Sequence, residues 1–384
     1  MGINGLIPFL KKNAVDAFSI ISLNSFANQR IAIDISLYMY KYKVVYGEDW
    51  ISGIIQLFTT LRENAIHPII VFDGEAPTEK LEEQKNRRLA REERNNRYQF
   101  LMTKMDEYNE NGVVSNELQE FYNKIVVNST KKNLLQIQEP PSEFNINVVS
   151  EKLTRMNNQN VRVTYRDIQL VHDLLKVMCI QSIQAPTEAE GLCAWLCIKN
   201  IVSAVLTEDT DVLAYGTPIF LNKLNTTNSS CTQILYPTLL EKLKLTKEQM
   251  TDLCIMCGCD YNQRVKNVGP ARILKFLHKY NSFNEIVENE TKYDFAPIRM
   301  DTVKKLFMEQ ECIENVINEI KTDEWYSGTP SFSEIQSFVR DKTYIKPEKI
   351  YNACLQDARG FNTVVINYKK RSSPSKSKNN SPYK

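Results

Sequence analysis

Three apolar runs in this chain finish in aspartate, and that repetition constrains the fold more than any other feature of the sequence. "QRIAIDIS" alternates apolar residues up to Asp34, "HPIIVFDGEAP" runs apolar to Asp73 before breaking at Gly and Pro, and "IVSAVLTEDTDVLAYG" leads into Asp209 and Asp211. Short apolar runs bounded by turn residues predict buried strands. Segments with helical spacing lie between them. "DWISGIIQLFTTLREN" follows the first run, and "TYRDIQLVHDLLKVM" comes later, with Ile168, Val171, Leu175 and Met178 on one face. This alternation predicts an α/β fold with a mainly parallel central sheet flanked by helices. In such sheets ligands sit outside the carboxyl ends of the strands.

A lone Asp-x-Asp is ordinary turn or capping chemistry. The alternative is a divalent cation, which takes hard oxygen ligands and neutralises carboxylates that would otherwise repel one another. More acids fall at element ends. In "QAPTEAEGLCAWLC" a helix is expected to start at Pro186 and Thr187, with Glu188 and Glu190 in its first turn, where the helix dipole favours negative charge; Asp260 closes "LCIMCGCDY". Capping explains any one of these but not seven at comparable positions. Directly afterwards, "NQRVKNVGPARILKFLHKY" turns through Val268, Gly269 and Pro270 into a second helix carrying Arg272 and Lys275 in its early turns. This is a helix-hairpin-helix pattern, in which the free N–H groups of a turn and helix start can bond phosphate oxygens without reading sequence. Gly-Pro turns between helices also occur in proteins that bind nothing.

With "MGINGL", "IAIDISLYMY", "VFDGEAP", "APTEAEGLCA", "LTEDTDVLAYG" and "GCDYNQRVKNVGPARI" in this order, the chain resembles the flap endonuclease and XPG family of structure-specific 5′ nucleases over most of residues 1 to 280. "SFSEIQSFVRDKTYIKPEKIYNACLQDA" is similar to the family's C-terminal part, more weakly. The resemblance implies a PIN-like 5′-nuclease fold with a helical arch. It also implies a site for two Mg²⁺, with Mn²⁺ as a substitute, held by Asp34, Asp73, Glu188, Glu190, Asp209, Asp211 and Asp260. Two such ions clamp the attacking and leaving oxygens of an in-line displacement. Lys80 and Arg87 match the catalytic cations of the family's arch helix, Tyr40 matches the aromatic on which a base stacks, and Gly2 matches the processed N-terminus near the site. Read from spacing alone, Lys80, Gln84, Arg87, Arg91 and Arg94 lie on one helical face, which is equally a solvated face of Glu/Arg pairs.

The implied activity is metal-dependent endonucleolytic cleavage at 5′-flap or single-strand/double-strand DNA junctions, in replication, repair or recombination. The rival readings are an inactive DNA-junction-binding relative, which would lack some of the acids, and a phosphatase with an Asp-x-Asp nucleophile, which needs fewer. The expected organisation is a nuclease region at 1–98, an arch extension or mobile insertion at 99–162, a second nuclease region at 163–265, a helix-hairpin-helix and C-terminal helical region at 266–360, and a basic disordered tail at 361–384. The second segment enters because 115 positions separate Asp73 from Glu188, more than a typical flap endonuclease needs, in a polar, Asn-rich stretch interrupted by Pro140-Pro141. The terminal "KKRSSPSKSKNNSPYK" holds six Lys/Arg and no acid, which leaves the rest of a +2 chain at −4, so DNA binding by the body needs local basic patches.

DNA is the expected partner and a monomer the expected state. The tail lacks the Gln plus paired-aromatic motif by which family members bind the sliding clamp, which puts that partner in doubt. No apolar run is long enough for a membrane span or secretory signal, and Leu6 breaks the myristoylation pattern. An intracellular location is expected, the nucleus or the site of DNA replication, or the host nucleus or cytoplasm for a viral member. The abundant Asn, Ile and Lys fit an AT-rich genome of viral or protist type. Nine scattered cysteines fit reduced thiols, and Cys254, Cys257 and Cys259 are expected to pack in the core rather than to hold zinc.

Overall fold

A computed structural model describes residues 2–3, 5–132, 144–158, 160–308, 311–320 and 328–355. The expected basic tail at 361–384 and the Pro140-Pro141 interruption lie outside these residues. Among the described residues the strands are β1 (Phe18–Ser22), β2 (Arg30–Asp34), β3 (His67–Phe72), β4 (Gln181–Gln184), β5 (Ala204–Leu206), β6 (Ile219–Asn225) and β7 (Ser230–Leu235). They form one sheet in the order β1-β7-β6-β5-β2-β3-β4. The pairs β2–β3, β2–β5, β3–β4 and β5–β6 are parallel, as expected, while β6–β7 and β1–β7 are antiparallel. The sheet is therefore mixed at one edge, where the N-terminal strand returns to pair with a strand more than two hundred positions away.

The period-2 alternation sorts side chains to opposite faces of the sheet. Ile31 and Ile33 of β2, Ile70 and Phe72 of β3, and Ala204 and Leu206 of β5 share one buried cluster with α2 (Ile35–Tyr46), α3 (Trp50–Glu63) and, further along, the helix at Tyr165–Val177. Ala32, Ile69, Val71, Val205 and Phe220 face the other cluster, together with α1 (Leu6–Asn13) and the helices at Ala189–Ile198, Lys247–Cys257 and Pro270–Lys279. Each fully buried Ile or Leu contributes roughly 1.5–3 kcal/mol of transfer free energy, so a one-residue slip of β2 would exchange the two faces and is strongly disfavoured.

After β3 the chain rises into α4 (Leu81–Asn111), a 31-residue helix in which only Leu101 and Met105 are buried. They join Leu118, Phe121 and Tyr122 of α5 (Asn116–Lys132) and Val149 and Leu153 of α6 (Ile146–Asn158) in a small core of their own. The first half of α4 is thus a polar helix fixed at its far end by this three-helix unit. Next comes α7 (Tyr165–Val177), opened by a capping box between Thr164 and Asp167. Then follow α8 (Ala189–Ile198), α9 (Val212–Tyr215), α10 (Tyr236–Leu243), α11 (Lys247–Cys257) and α12 (Pro270–Lys279). Helix α8 begins two residues later than its Pro-Thr signal suggests, with Glu188 at the N-cap. Cys254 and Cys257 pack in the core beneath the sheet, and all nine cysteines are free thiols.

Candidate active site

Strand order reverses at β2, which lies between β5 on one side and β3 on the other, and the crevice at such a switch point opens at the carboxyl ends of the strands. The parallel registers Ile33↔Leu206 and Asp34↔Val71 bring Asp34, Asp73 and the loop Thr207 to Asp211 to this one end. Asp34 and Asp211 are buried, at 5% and 2% exposure.

Backbone lacing brings the glutamates to the same place. The Asp73 Oδ1 accepts a hydrogen bond from the Ala189 N–H at 2.9 Å, and the Gly74 N–H donates to the Thr187 carbonyl at 2.5 Å. A Cβ at position 74 would lie 2.1 Å from the Ala185 carbonyl oxygen, so only glycine permits this approach. Glu188 stands at the N-cap of α8 yet makes no capping bond with its side chain. Its carboxylate instead accepts from the Lys80 ammonium and from the Tyr261 hydroxyl. Asp211 at the N-cap of α9 likewise caps nothing, whereas Asp209 does serve the turn, its Oδ1 accepting from the Asp211 N–H at 3.0 Å.

Two cations reach into the acids from the base of α4. Lys80, in the 3-10 turn just before the helix, lies 2.9 Å from Asp260 as well as against Glu188. Arg87, two turns along, places Nη2 2.8 Å from Asp260 Oδ1 and directs Nε to Glu83. Burial raises the Asp34 carboxyl to about 8, with repulsion from Asp73 and Asp209 adding to it. Burial also raises Glu190, Asp209 and Asp211, and repulsion from Asp209 and Asp260 pushes Asp211 further. Asp260 goes the other way. Burial alone would raise it, but Lys80 and Arg87 outweigh that and hold it below the ordinary carboxylate value. Lys80 is itself held well above the usual lysine value, because Glu190, Glu188 and Asp260 overcome its burial.

This arrangement is short of positive charge. Asp34 Oδ1 and Asp211 Oδ1 are buried and accept no hydrogen bond, although buried carboxylate oxygens ordinarily find donors. Among the described residues no three acidic, cysteine or histidine side chains converge closely enough to hold an ion as they stand, and the Lys80 ammonium bridges Glu188 and Asp260 in that role. The donor set is nonetheless all oxygen, which suits Mg²⁺ and does not suit a thiophilic metal.

All seven acids named from the sequence therefore lie in one electrostatic cluster, joined by Lys80 and Arg87. Gly2 lies against Asp209 and Thr210. Tyr40 is half-buried on α2. Gly269 is the N-cap of α12, where Arg272 and Lys275 are exposed. Arg272 holds its own turn, donating to the Asn267 carbonyl at 2.6 Å while lying over the Tyr293 ring. The sequence reading passed over Tyr261, Glu83, Thr207 and Thr210. Tyr261 directly follows Asp260, and the two threonines flank the acids of "TEDTD", so adjacency to the acids was the available signal.

A parallel-centred sheet with a carboxylate cluster at its switch point, met by Lys80 and Arg87 from the base of a polar helix of balanced charge, is a geometry suited to phosphodiester chemistry. Residues 1–94 match the XPG N-terminal domain and residues 179–260 match the XPG I-region. The chain is 31% identical over 318 residues to the "Probable RAD2-like endonuclease 369L" of Invertebrate iridescent virus 6, covering 76% of this chain and 74% of that protein. It is 27% identical over 400 residues to flap endonuclease 1-2 of Paramecium tetraurelia, covering 96% and 91%. In structure it is similar to flap endonuclease-1 from Methanococcus jannaschii, with TM-score 0.56 and 20% identity, over 90% of this chain and 97% of that one. It is also similar to human GEN1 in complex with Holliday junction DNA, with TM-score 0.59 and 17% identity, over 97% and 81%. The chain belongs to the XPG family, and its fold is that of the 5′ nucleases.

Proposed function

We propose that this protein is a structure-specific DNA endonuclease that hydrolyses phosphodiester bonds at 5′-flaps or single-strand/double-strand junctions, in replication, repair or recombination. The observation that carries the reading is the pair of buried, unpartnered carboxylate oxygens of Asp34 and Asp211 at the sheet's switch point, beside Lys80 and Arg87. The other Asp34 oxygen accepts from the Thr207 hydroxyl at 3.3 Å, and buried carboxylate oxygens left without a donor are tolerated when a cation completes them. Asp34, Asp73, Glu188, Glu190, Asp209, Asp211 and Asp260 would hold two Mg²⁺ or Mn²⁺, which when bound would supply Lewis-acid activation of water and neutralise charge on the leaving oxygen.

The chain's own residues do the rest. Lys80 and Arg87 stand where charge grows on the scissile phosphate and stabilise it as preorganised cations. Tyr261 orients Glu188. The turn at Gly269 with Arg272 and Lys275 binds duplex backbone as a helix-hairpin-helix without reading sequence. Tyr40 and the Gly2 terminus border the reacting strand. Residues 1–98 and 163–265 form the nuclease body, 99–162 the arch extension, 266–360 the duplex-holding region and 361–384 a basic tail. The protein acts as a monomer inside the cell, in the nucleus or at the site of DNA replication, or in the host nucleus or cytoplasm for a viral member. A phosphatase reading is disfavoured by the seven acids, and an inactive relative by the presence of all of them.

The test is to incubate the protein with Mg²⁺ and, separately, a 5′-flap, a bubble, a Holliday junction and a small phosphate ester. Cleavage of branched DNA that disappears in Asp211→Ala, with DNA binding retained, is expected. Turnover of the ester alone, or near-normal DNA cleavage by Asp211→Ala, would overturn the assignment.

A further inference from the structure

The loop Thr207 to Asp211 carries three carboxylates: Glu208 pairs with Lys41 at 2.9 Å, while Asp209 and Asp211, separated by Thr210, are buried and repel each other. Two of the hydrogen bonds that hold it are local. The Asp209 N–H donates to Thr207 Oγ1 at 3.1 Å, and the Asp211 N–H donates to Asp209 Oδ1 at 3.0 Å. Another comes from the far end of the chain: the Ile3 N–H donates to Thr210 Oγ1 at 2.7 Å, in a buried contact between residues 207 positions apart. Gly2 sits directly on the same loop with φ +88°. A Cβ there would lie 2.4 Å from Asp209 Oδ1 and from Thr210 Oγ1, and 2.7 Å from the Thr210 nitrogen. Ile3 is buried in the core beside Leu6 and Leu10, so the segment that meets Thr210 is itself anchored. Thr210 is 6% exposed, and its carbonyl accepts from the Leu213 N–H at 3.0 Å at the start of α9.

We propose that Thr210 is a positioning residue for the reaction: its hydroxyl docks the N-terminal residues Gly2 and Ile3 onto the acidic loop and so fixes Asp209 and Asp211 for cation binding. This rests on the metal-dependent reading above. The side chain needs two properties. It must offer an acceptor to a buried N–H, which valine, of similar shape, does not. It must also be short enough to leave the glycine its place, which threonine and serine both are. Groups that orient a metal's ligands typically change affinity or activity 10–100-fold when removed. Thr210 acts one step further out, through the loop, so about tenfold is expected.

The experiment compares Thr210→Val and Thr210→Ser with the unaltered chain, each carrying the native N-terminus, and uses Asp211→Ala as a control. Two readouts are needed: the Mg²⁺ concentration at half-maximal cleavage of a 5′-flap, and the hydrogen-exchange rate of the Ile3 amide in metal-free buffer. Thr210→Val is expected to raise the Mg²⁺ requirement about tenfold and to speed Ile3 exchange, and Thr210→Ser to restore both. Should Thr210→Val fold poorly, Gly2→Ala tests the same contact from the other side and is expected to shift the Mg²⁺ requirement in the same direction. Faster Ile3 exchange with an unchanged Mg²⁺ requirement would reduce Thr210 to a structural tether and overturn the proposal, as would no change in either. Retained cleavage by Asp211→Ala would instead overturn the underlying metal reading, so the two failures are distinguishable.

Discussion

Replacing Arg87 by alanine, with Arg88→Ala as its neighbour control, separates an active-site cation from a solvated helical face. The two side chains leave α4 about 100° apart. Arg87 is 40% exposed and sits 2.8 Å from Asp260, whose side chain is 14% exposed. Arg88 is 64% exposed and sits 3.9 Å from Glu92, at 54%. As static ion pairs, both are near the surface value of about 0–1 kcal/mol, Arg87 included once its exposure is discounted for solvent screening. Asp260 also keeps Lys80 at 2.9 Å when Arg87 is removed, so Arg87→Ala should fold.

The rate is another matter. A preorganised donor facing charge that develops in the transition state is worth roughly 2.7–4 kcal/mol, which is about a hundredfold to a thousandfold in rate. Single-turnover cleavage of a 5′-flap at saturating Mg²⁺ should therefore fall by about a hundredfold or more in Arg87→Ala and by no more than a few-fold in Arg88→Ala, with flap affinity and melting temperature nearly unchanged in both. Arg87→Lys should recover only part of the loss, because one ammonium replaces a guanidinium that serves Glu83 through Nε and Asp260 through Nη2. Equal, small losses at positions 87 and 88 would refute the reasoning and leave α4 a solvated arm.

Two other outcomes are expected. Replacing Arg272 and Lys275 together by alanine should weaken binding to all duplexes alike and flatten the dependence of log affinity on log salt, since backbone neutralisation releases counterions; a loss confined to one DNA sequence would contradict this. In buffer free of divalent cations, Asp34 keeps its proton up to about pH 8 in the folded chain, where burial outweighs all else, while the unfolded chain ionises near its ordinary 3.8. The folded state then binds more protons across that window, so stability should fall as pH rises from about 4 to about 8. Added Mg²⁺ should accordingly raise the melting temperature more at pH 8 than at pH 6, and a gain that does not grow with pH would count against cation binding at Asp34.

The sequence alone determined the strands that end in acids, because period-2 alternation and a terminal Asp are local properties that survive without knowledge of neighbours. The same holds for α3 and α7, whose apolar spacing and end signals lie within the segment. Family motifs in order carried the seven acids, Lys80 and Arg87. Tertiary structure decided what local pattern leaves open. Glu188 read equally well as a helix cap, and only the arrival of Lys80 and Tyr261 from distant segments turned its carboxylate away from its own helix. The antiparallel edge depends on β1 meeting β7 across the chain, and the stretch 99–162 reads from sequence as either an arch extension or a mobile insertion because its few apolar residues form a core only when α4, α5 and α6 are brought together. The contact between Ile3 and Thr210 belongs to the same class. A backbone donor leaves no mark in a sequence, and its acceptor is named only when the chain has folded back 207 positions to meet it.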